Sequence, residues 1–355
     1  MDPEIKHSSE SKPDDFRIKM TSAAKDCITL PKVSNAGEII EKNGKRYQVM
    51  HNGLLIQEGC YFGNWMTQII ENLKGHHEPQ EEFVYKCILD RLKVNSNIHE
   101  PKTIIELGSF WAYYSMWFLN EFPNGSAILL EPDSRRLNVG IENFKANDME
   151  GFFIQGCIGK NPGKYSDFLL EEDNTITKLK EYGIGSLLTA SNVKNVDVLM
   201  CDIQGAEDFL FKNEIELLKS GVVRYALIST HHHSISGNPT LHEELIEFLL
   251  GCGGHIICEH TIPESYSGDG LIAVSFSDQD KDFKVDVSRN RARNSLFVPY
   301  EFEIKNLQKS LGEASLDSEL IAHLNRIEDS LSWRITSPLR RLRKAMQMNA
   351  DRSNE

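Results

Sequence analysis

The sequence predicts an α/β protein with a doubly wound, mostly parallel β-sheet. Between Lys102 and Pro299, short apolar runs alternate with amphipathic stretches of helical spacing. This alternation is typical of parallel strands that are joined by crossover helices and covered on both faces. The last two apolar runs are separated by a loop alone, so we expect them to pair antiparallel at one edge of the sheet. Polar side chains follow several runs, at the edge where such sheets bind ligands.

The helices and strands of this sheet are placed from the spacing of apolar residues. Helices are predicted over Tyr113–Glu121, Arg135–Asn147, Ala206–Asn213 and Thr240–Leu250. Strands are predicted over Thr103–Leu107, Ser126–Glu131, Gly151–Gln155, Val196–Asp202, Val223–Ser229, His255–Glu259 and Leu271–Phe276.

Changes in composition divide the chain into four predicted segments. The first is polar with little periodicity, which is typical of a disordered tail. The second contains two amphipathic stretches and is expected to form a helical cap. The segments are residues 1–30 (tail), 31–100 (cap, with helices over Trp65–Leu73 and Glu81–Leu92), 101–299 (sheet domain) and 300–355 (helical extension with a basic end).

Charge and cysteine usage exclude several functional classes. The chain has 39 Lys+Arg against 52 Asp+Glu and a formal net charge of −13, so it is unsuited to coating nucleic acid, which requires a basic surface. Its seven cysteines stand singly, without the paired spacing of zinc sites. The sequence has neither a signal peptide nor about 18 consecutive apolar residues for a membrane span. We therefore expect buried thiols, a cytoplasmic location, and small-molecule or carbohydrate chemistry.

The end of the first strand disfavours a bound pyrophosphate. A dinucleotide fold has three glycines in the pattern GxGxxG after this strand. Here Gly108 is followed by Ser109, Trp111 and Ala112 instead. A nucleoside without phosphates needs only one tight turn with a close backbone approach, which Gly108 followed by small residues can provide.

The end of the second strand supplies an acid at the ribose position. Glu131 lies 25 residues after Glu106, close to the spacing of about 20 residues at which a strand-end acid accepts hydrogen bonds from ribose hydroxyls. Pro132 prevents the strand from continuing. Because the phosphate glycines are missing, this acid favours S-adenosylmethionine, which carries a ribose but no phosphate.

The third and fourth strand ends offer candidates for the reaction itself. Asp202 is expected to face the methyl donor or the acceptor. For Glu207, a functional role and capping of the next helix are equally compatible with the sequence. Three consecutive histidines follow Thr230, and because neighbouring side chains in extended backbone point to opposite faces, they cannot all bind one ion. His231 or His233 is the expected general base, with His231 as the first choice.

An ordered set of motifs resembles the FkbM-like S-adenosylmethionine-dependent methyltransferases, a class I Rossmann-like group, and in particular a bacterial subset associated with glycan biosynthesis. The resemblance covers about Tyr61 to Pro299. The motifs are GHHEPQEE from Gly75, ELGSFWAYYS from Glu106, LEPD from Leu130, DIQGAE from Asp202, STH from Ser229 and ESYSGDGLI from Glu264.

The resemblance implies methyl transfer to oxygen, with a sugar hydroxyl of a bacterial polysaccharide or glycan as the favoured acceptor. Gln204 stands where many members have Glu, so no role for a carboxylate carries over there. Some related sugar methyltransferases use Mg²⁺ held by several acids; no full ligand set is identifiable here, and a metal stays open. From the strand ends and the resemblance together, the residues expected to bind the donor are Glu106, Gly108, Ser109, Ala112, Ser115, Glu131 and Asp202, and His231 and Asp202 are expected to take part in catalysis.

Two alternatives stay open at this level. The first is an NAD-dependent sugar oxidoreductase on a similar sheet, against which the missing glycines count. The second is a non-catalytic subunit that docks a glycan-assembly complex through its tail. The segment from Ser330 to Arg340 resembles the ends of bacterial polysaccharide glycosyltransferases, and its Trp333 and basic residues suit an anionic membrane face or a glycosyltransferase partner. A solvated basic helix accounts for the tail equally well, and a homo-oligomer is compatible with the sequence.

Overall fold

The computed structural model describes residues 13–94, 100–170, 173 and 175–290. The described part of the N-terminal segment combines helices with a small antiparallel sheet in the order β1-β2-β3. The two helices predicted for this segment are present, as α2 and α3. In chain order its elements are α1 (Pro13–Thr21), β1 (Ile39–Lys42), β2 (Lys45–Val49), β3 (Leu55–Gln57), α2 (Asn64–Asn72) and α3 (Pro79–Val94).

Two predictions for this segment are wrong. Residues 13–21 form a helix where a disordered tail was expected, and Cys27 is 3% exposed, because this stretch packs its few apolar side chains onto the core. The cap also contains strands as well as helices. The sequence carries a signal for them, since Asn43 and Gly44 both have positive φ and form the two-residue turn that joins β1 to β2.

The central sheet has seven strands in the order β12-β13-β11-β10-β4-β5-β6. Neighbouring strands are parallel except that β13 is antiparallel to both β11 and β12. The predicted fold class is confirmed, with the antiparallel strand one position in from the edge. The strands and longer helices are β4 (Thr103–Leu107), α4 (Tyr113–Glu121), β5 (Ser126–Glu131), α5 (Ser134–Ala146), β6 (Phe152–Gln155), β7 (Cys157–Ile158), β8 (Tyr165–Leu169), β9 (Ile176–Tyr182), α6 (Ile184–Ser191), β10 (Val196–Cys201), α7 (Glu207–Asn213), α8 (Ile215–Lys219), β11 (Val223–Thr230), α9 (His233–Ser236), α10 (Leu241–Gly251), β12 (His255–His260) and β13 (Gly270–Ser275).

Two apolar cores cover the two faces of this sheet. Along β10, Val198 and Met200 belong to the core beneath α3 and α4, whereas Leu199 and Cys201 belong to the core on the opposite face. Successive side chains of a strand point to opposite faces, so a strand buried on both sides has apolar residues throughout. This is why the central strands stand out in the sequence.

A second three-stranded sheet, in the order β7-β9-β8, follows β6 and was not predicted. Strand β8 alternates between exposed and half-buried residues, and Tyr165, Leu169 and Ile176 are exposed. A strand of this kind lacks the continuous apolar run that marks a buried strand. The end of β8 nevertheless contributes to the cavity described below.

None of the helices in the described ranges is both long enough and apolar enough to cross a membrane. The predicted helical extension over residues 300–355, with Trp333 and its basic neighbours, lies outside the described residues.

Candidate active site

A cavity of about 380 Å³ opens at the carboxyl ends of β4, β5 and β10. The chain runs outward in one direction from β4 to β6 and in the other from β10 to β11, so strand order reverses between β4 and β10. This is the position at which open α/β sheets bind their ligands. The end of β8 and residues of the N-terminal segment complete its walls.

The turn after β4 leaves no space for a side chain at Gly108. Gly108 has a φ of +75°, and a Cβ atom there would lie 1.9 Å from the carbonyl oxygen of Asp202. Its amide and that of Ser109 both donate to the carbonyl of Leu130, at 2.9 and 3.1 Å. Gly108 therefore ties the ends of β4, β5 and β10 together, as its predicted role in a close backbone turn requires.

We expect Gly108→Ala to destabilise the protein by about 2–4 kcal/mol, because the new Cβ displaces the Asp202 backbone and the left-handed conformation is strained. Thermal unfolding checks this result. Gly221→Ala is a suitable control, because Gly221 also has a positive φ (+73°) but nothing lies within 4 Å of its added Cβ. Equal destabilisation by the two substitutions would contradict the role of the close contact.

Glu106 has a structural partner as well as a place in the cavity. One of its carboxylate oxygens, Oε2, accepts a hydrogen bond from the Ser115 amide at 3.0 Å. Ser115 lies in the first turn of α4, whose N-cap residue Ala112 has no side-chain acceptor, so Glu106 caps this helix from the strand. Burial raises the pKa of Glu106 to about 7.

Ala112 and Ser115, which were predicted to bind the donor, are not in the cavity wall. Ala112 is fully buried with a left-handed backbone that begins α4, and the Ser115 amide is directed at Glu106. Small residues after the turn serve to start the helix, so these two residues lie behind the cavity wall, and their role in donor binding stays a prediction. Ser109, by contrast, lines the cavity, and its buried Oγ has no hydrogen-bond partner.

Glu131 lies at the end of β5 as predicted, in the cavity wall. Its Oε2 accepts from the Phe110 amide at 3.1 Å and its Oε1 from the Asp133 amide at 3.0 Å. These bonds fix the carboxylate, and each oxygen keeps a second lone pair for a ligand. Burial raises the pKa of Glu131 to about 7, against the opposing effect of the two amides.

Four further carboxylates define the other part of the cavity, which we call the acidic end: Glu78, Glu81, Asp202 and Asp269. Glu81 accepts from the Ser229 hydroxyl at 2.9 Å. Burial raises the pKa of Asp269 to about 7 against the opposing charge of His231, and the neighbouring acids, with Asp202 first, add to the rise.

Aromatic rings stand beside the acidic end. Tyr61 and Trp111 line the cavity and stack with centroids 4.4 Å apart and an interplanar angle of 4°. Burial and then the nearby carboxylates, with Glu78 foremost, raise the pKa of Tyr61 well above its usual value. The phenol therefore keeps its proton at neutral pH and is available as a hydrogen-bond donor.

His77 is a buried cation in the cavity wall. Its Nδ1 lies 2.7 Å from Glu82 Oε1 and its Nε2 lies 3.3 Å from Glu78 Oε2. Burial opposes the charge, but these two carboxylates raise the pKa of His77 to about 10. His77 is thus an imidazolium that orients Glu78.

His231 lies behind Asp202 and is not part of the cavity wall. Its Nδ1 is 2.9 Å from Glu207 Oε1, and its Nε2 is 3.0 Å from Asp202 Oδ1 and 3.9 Å from Asp269 Oδ1. Burial opposes its charge, but the three carboxylates, with Asp269 first, raise its pKa well above the usual value. Its role as a base stays a prediction. Its contacts with the carboxylates are those of an imidazolium that holds Asp202, and the side-chain amide nitrogen of Gln204 also lies 3.1 Å from its Nε2. His233 begins α9 and is exposed.

Sequence reasoning missed Tyr61, Glu78, Glu81 and Asp269 as site residues. It considered only the carboxyl ends of the parallel strands. Asp269 precedes β13, and because β13 is antiparallel, its amino end lies at the same edge. The predicted antiparallel pairing already contained this signal. The three residues of the N-terminal segment reach the cavity through tertiary packing that no local pattern encodes.

The charge of the lining fits a cationic ligand without phosphates. Arg136 is the single Lys or Arg among the described lining residues, and a pyrophosphate would meet the surrounding carboxylates unfavourably. Within the described residues, no three groups of the acidic end lie close enough together to share one metal ion. The acidic lining residues are Glu78, Glu81, Glu106, Glu131, Asp133, Asp202 and Asp269.

No protein-family model matches the sequence, and no curated protein matches it. Solved structures similar to the chain include TrmK from M. capricolum in complex with S-adenosylhomocysteine, with 16% identity, 69% of this chain and 94% of that chain covered, and a TM-score of 0.34. The N-terminal domain of human METTL16 with the same ligand is 15% identical, with 56% of this chain and 71% of that chain covered and a TM-score of 0.37. Precorrin-6y C5,15-methyltransferase from Geobacter metallireducens is 14% identical, with 55% of this chain and 88% of that chain covered and a TM-score of 0.33. These neighbours are methyltransferases, and the likeness is a distant one of fold.

Proposed function

We propose that the chain is an S-adenosylmethionine-dependent O-methyltransferase that methylates a sugar hydroxyl in bacterial polysaccharide or glycan biosynthesis. The observation that carries the proposal is the acid-lined cavity at the strand-order reversal, with Glu131 at the end of β5 and Arg136 as its single described Lys or Arg. Such a lining suits a cationic nucleoside and opposes the pyrophosphate of NAD.

The donor half of the cavity is formed by the ends of β4 and β5. Glu131 would accept hydrogen bonds from ribose hydroxyls, and the Gly108 turn would allow the nucleoside to approach the backbone. Ser109 would offer its unpartnered hydroxyl, and Glu106 its buried carboxylate. Bound S-adenosylmethionine supplies a methyl group on a positively charged sulfur.

The acidic end would hold the acceptor. The carboxyl groups of Glu78, Glu81 and Asp269 can accept hydrogen bonds from hydroxyl groups. The stacked rings of Tyr61 and Trp111 present an aromatic wall to an apolar sugar face. Fixed carboxylates beside an aromatic wall suit a polyhydroxyl ring, which is the support for a sugar acceptor.

Asp202 is placed to accept the acceptor's proton. It lies in the cavity wall, and His231 holds one of its oxygens at 3.0 Å. Glu207 Oε1 fixes the other side of His231 and also accepts from the amides of Ile203 and Gly205, at 3.3 and 3.2 Å. The turn after β10 therefore positions the imidazolium and the carboxylate as one unit, and positioning supplies much of the rate in a direct displacement.

The test is methyl transfer from S-adenosylmethionine labelled with carbon-14 in the methyl group to a panel of glycosides, polysaccharide extracts and amines. We expect label in an ether that survives mild alkali and acid. Label on nitrogen would contradict O-methylation, and label on a non-sugar hydroxyl would contradict the sugar acceptor.

Affinity for S-adenosylmethionine is expected to rise as the pH increases through about 7. The pKa values of Glu106 and Glu131 are raised to about 7 by burial, so both are mainly protonated at pH 6 and ionised at pH 8. Because the ligand favours the ionised carboxylates, lowering the pH from 8 to 6 should weaken binding about tenfold for each group. Calorimetry in two buffers of different ionisation enthalpy measures the proton released. Affinity independent of pH would contradict this assignment.

A further inference from the structure

A buried cluster of three metal-ligand side chains lies outside the cavity wall. Cys27 follows α1, His76 lies between α2 and α3, and Glu82 lies in the first turn of α3. Their exposed fractions are 3%, 0% and 0%. We call Cys27, His76 and Glu82 the Cys27 cluster. It joins three separate parts of the N-terminal segment.

The geometry brings one potential ligand atom from each residue together. A sulfur, an imidazole nitrogen and a carboxylate oxygen all lie within 4.8 Å of one another, and no other such group occurs in the described residues. His76 Nδ1 is 2.5 Å from Glu82 Oε2. These two atoms face each other, so they are the nitrogen and the oxygen that one ion could share.

The Cys27 thiol has one weak contact, whereas Glu82 is also paired with His77, whose Nδ1 lies 2.7 Å from Glu82 Oε1. The Cys27 thiol donates to the Pro79 carbonyl at 3.1 Å, and a thiol is a weak donor. Glu82 Oε1 accepts from the amides of His77 and Glu78, at 2.7 and 3.2 Å, so the carboxylate is held in place while Oε2 stays directed at His76.

We propose that Cys27, His76 and Glu82 bind one zinc ion. Thiolate, imidazole and carboxylate are the three ligand types that zinc takes in proteins, with bond lengths of about 2.0–2.3 Å. This set is softer than the oxygen ligands that Mg²⁺ prefers. On binding, Cys27 loses its proton to solvent and the thiolate sulfur forms the new bond to the ion. The site is distinct from the cavity, but the adjacent His77 and Glu78 line it. The ion therefore fixes the loop that carries part of the acidic end.

The zinc content of the purified full chain, measured by plasma mass spectrometry, tests this proposal. We expect about one zinc per chain, and a loss of at least fivefold in Cys27→Ser and in His76→Gln. Cys258→Ser is the matched control, because Cys258 is also buried but belongs to no such cluster, and it should retain the metal.

Cobalt substitution separates this site from ions bound by the acidic cavity. The wild-type protein with Co²⁺ should show a near-ultraviolet thiolate-to-metal band, which Asp269→Asn keeps and Cys27→Ser loses. This readout on the wild-type protein does not depend on the folding of a variant. A wild-type chain that holds no zinc and takes up none in calorimetric titration, or one without the thiolate band, would overturn the proposal.

Discussion

Replacing Glu131 with alanine is expected to weaken S-adenosylmethionine binding at least 100-fold, which corresponds to about 2.7 kcal/mol. The substitution removes the acceptor for the ribose hydroxyls, and hydrogen bonds to a charged group are each worth about 1.5–3 kcal/mol. It also releases the amides of Phe110 and Asp133, at 3.1 and 3.0 Å, which hold the cavity wall. Isothermal titration calorimetry measures the change.

Two further variants make the Glu131 result specific. Glu247→Ala removes a carboxylate from the exposed face of α10 and should bind as the wild-type chain does. Glu131→Gln keeps one acceptor oxygen, so its affinity for S-adenosylmethionine should lie between that of the wild type and that of Glu131→Ala. Binding within a few-fold of the wild type in a folded Glu131→Ala protein would show that this residue does not hold the donor.

Replacing Asp202 with asparagine is expected to lower methyl transfer by about 10²–10⁴, the usual contribution of a positioned proton acceptor. Donor affinity should change less than tenfold. His231→Ala should also reduce turnover strongly while donor binding survives, since the imidazolium holds Asp202 Oδ1 at 3.0 Å. The measurement is single-turnover transfer to the acceptor found in the glycoside panel.

The pH profile distinguishes the two roles open to His231. If the imidazolium positions Asp202, activity falls as His231 loses its proton at alkaline pH. If neutral His231 is the base, activity instead rises there, because nearby carboxylates raise its pKa well above the usual value. His255→Ala, on the distant start of β12, is the control. Wild-type turnover in both Asp202→Asn and His231→Ala would remove the pair from the mechanism.

The central strands could be predicted from the sequence because they are buried on both faces. Val198 to Cys201 alternate between the two cores, so every position is apolar. The β7-β9-β8 sheet lacks this signal, since Tyr165 and Leu169 are exposed on one of its strands. The β1–β2 hairpin was predictable from its Asn43-Gly44 turn, although its strands are short and charged.

The same physical difference divides the candidate site. Gly108 and Asp202 directly follow strands and Glu131 ends one, so topology alone brings them to one edge. Glu81 lies on a helix that precedes the sheet in the chain, and its contact with Ser229 spans 148 residues. No local pattern specifies such a contact. The position of His231 behind Asp202 likewise depends on Glu207, for which the sequence left a helix cap and a functional role equally open.

Calorimetric titration of the wild-type chain with S-adenosylmethionine, and separately with NAD, tests the central claim most directly. The account predicts one S-adenosylmethionine per chain with a dissociation constant of roughly 1–100 µM, between about −8 and −5 kcal/mol, and no heat from NAD. Binding of NAD in its place, or no binding of S-adenosylmethionine by a chain shown to be folded, would contradict it.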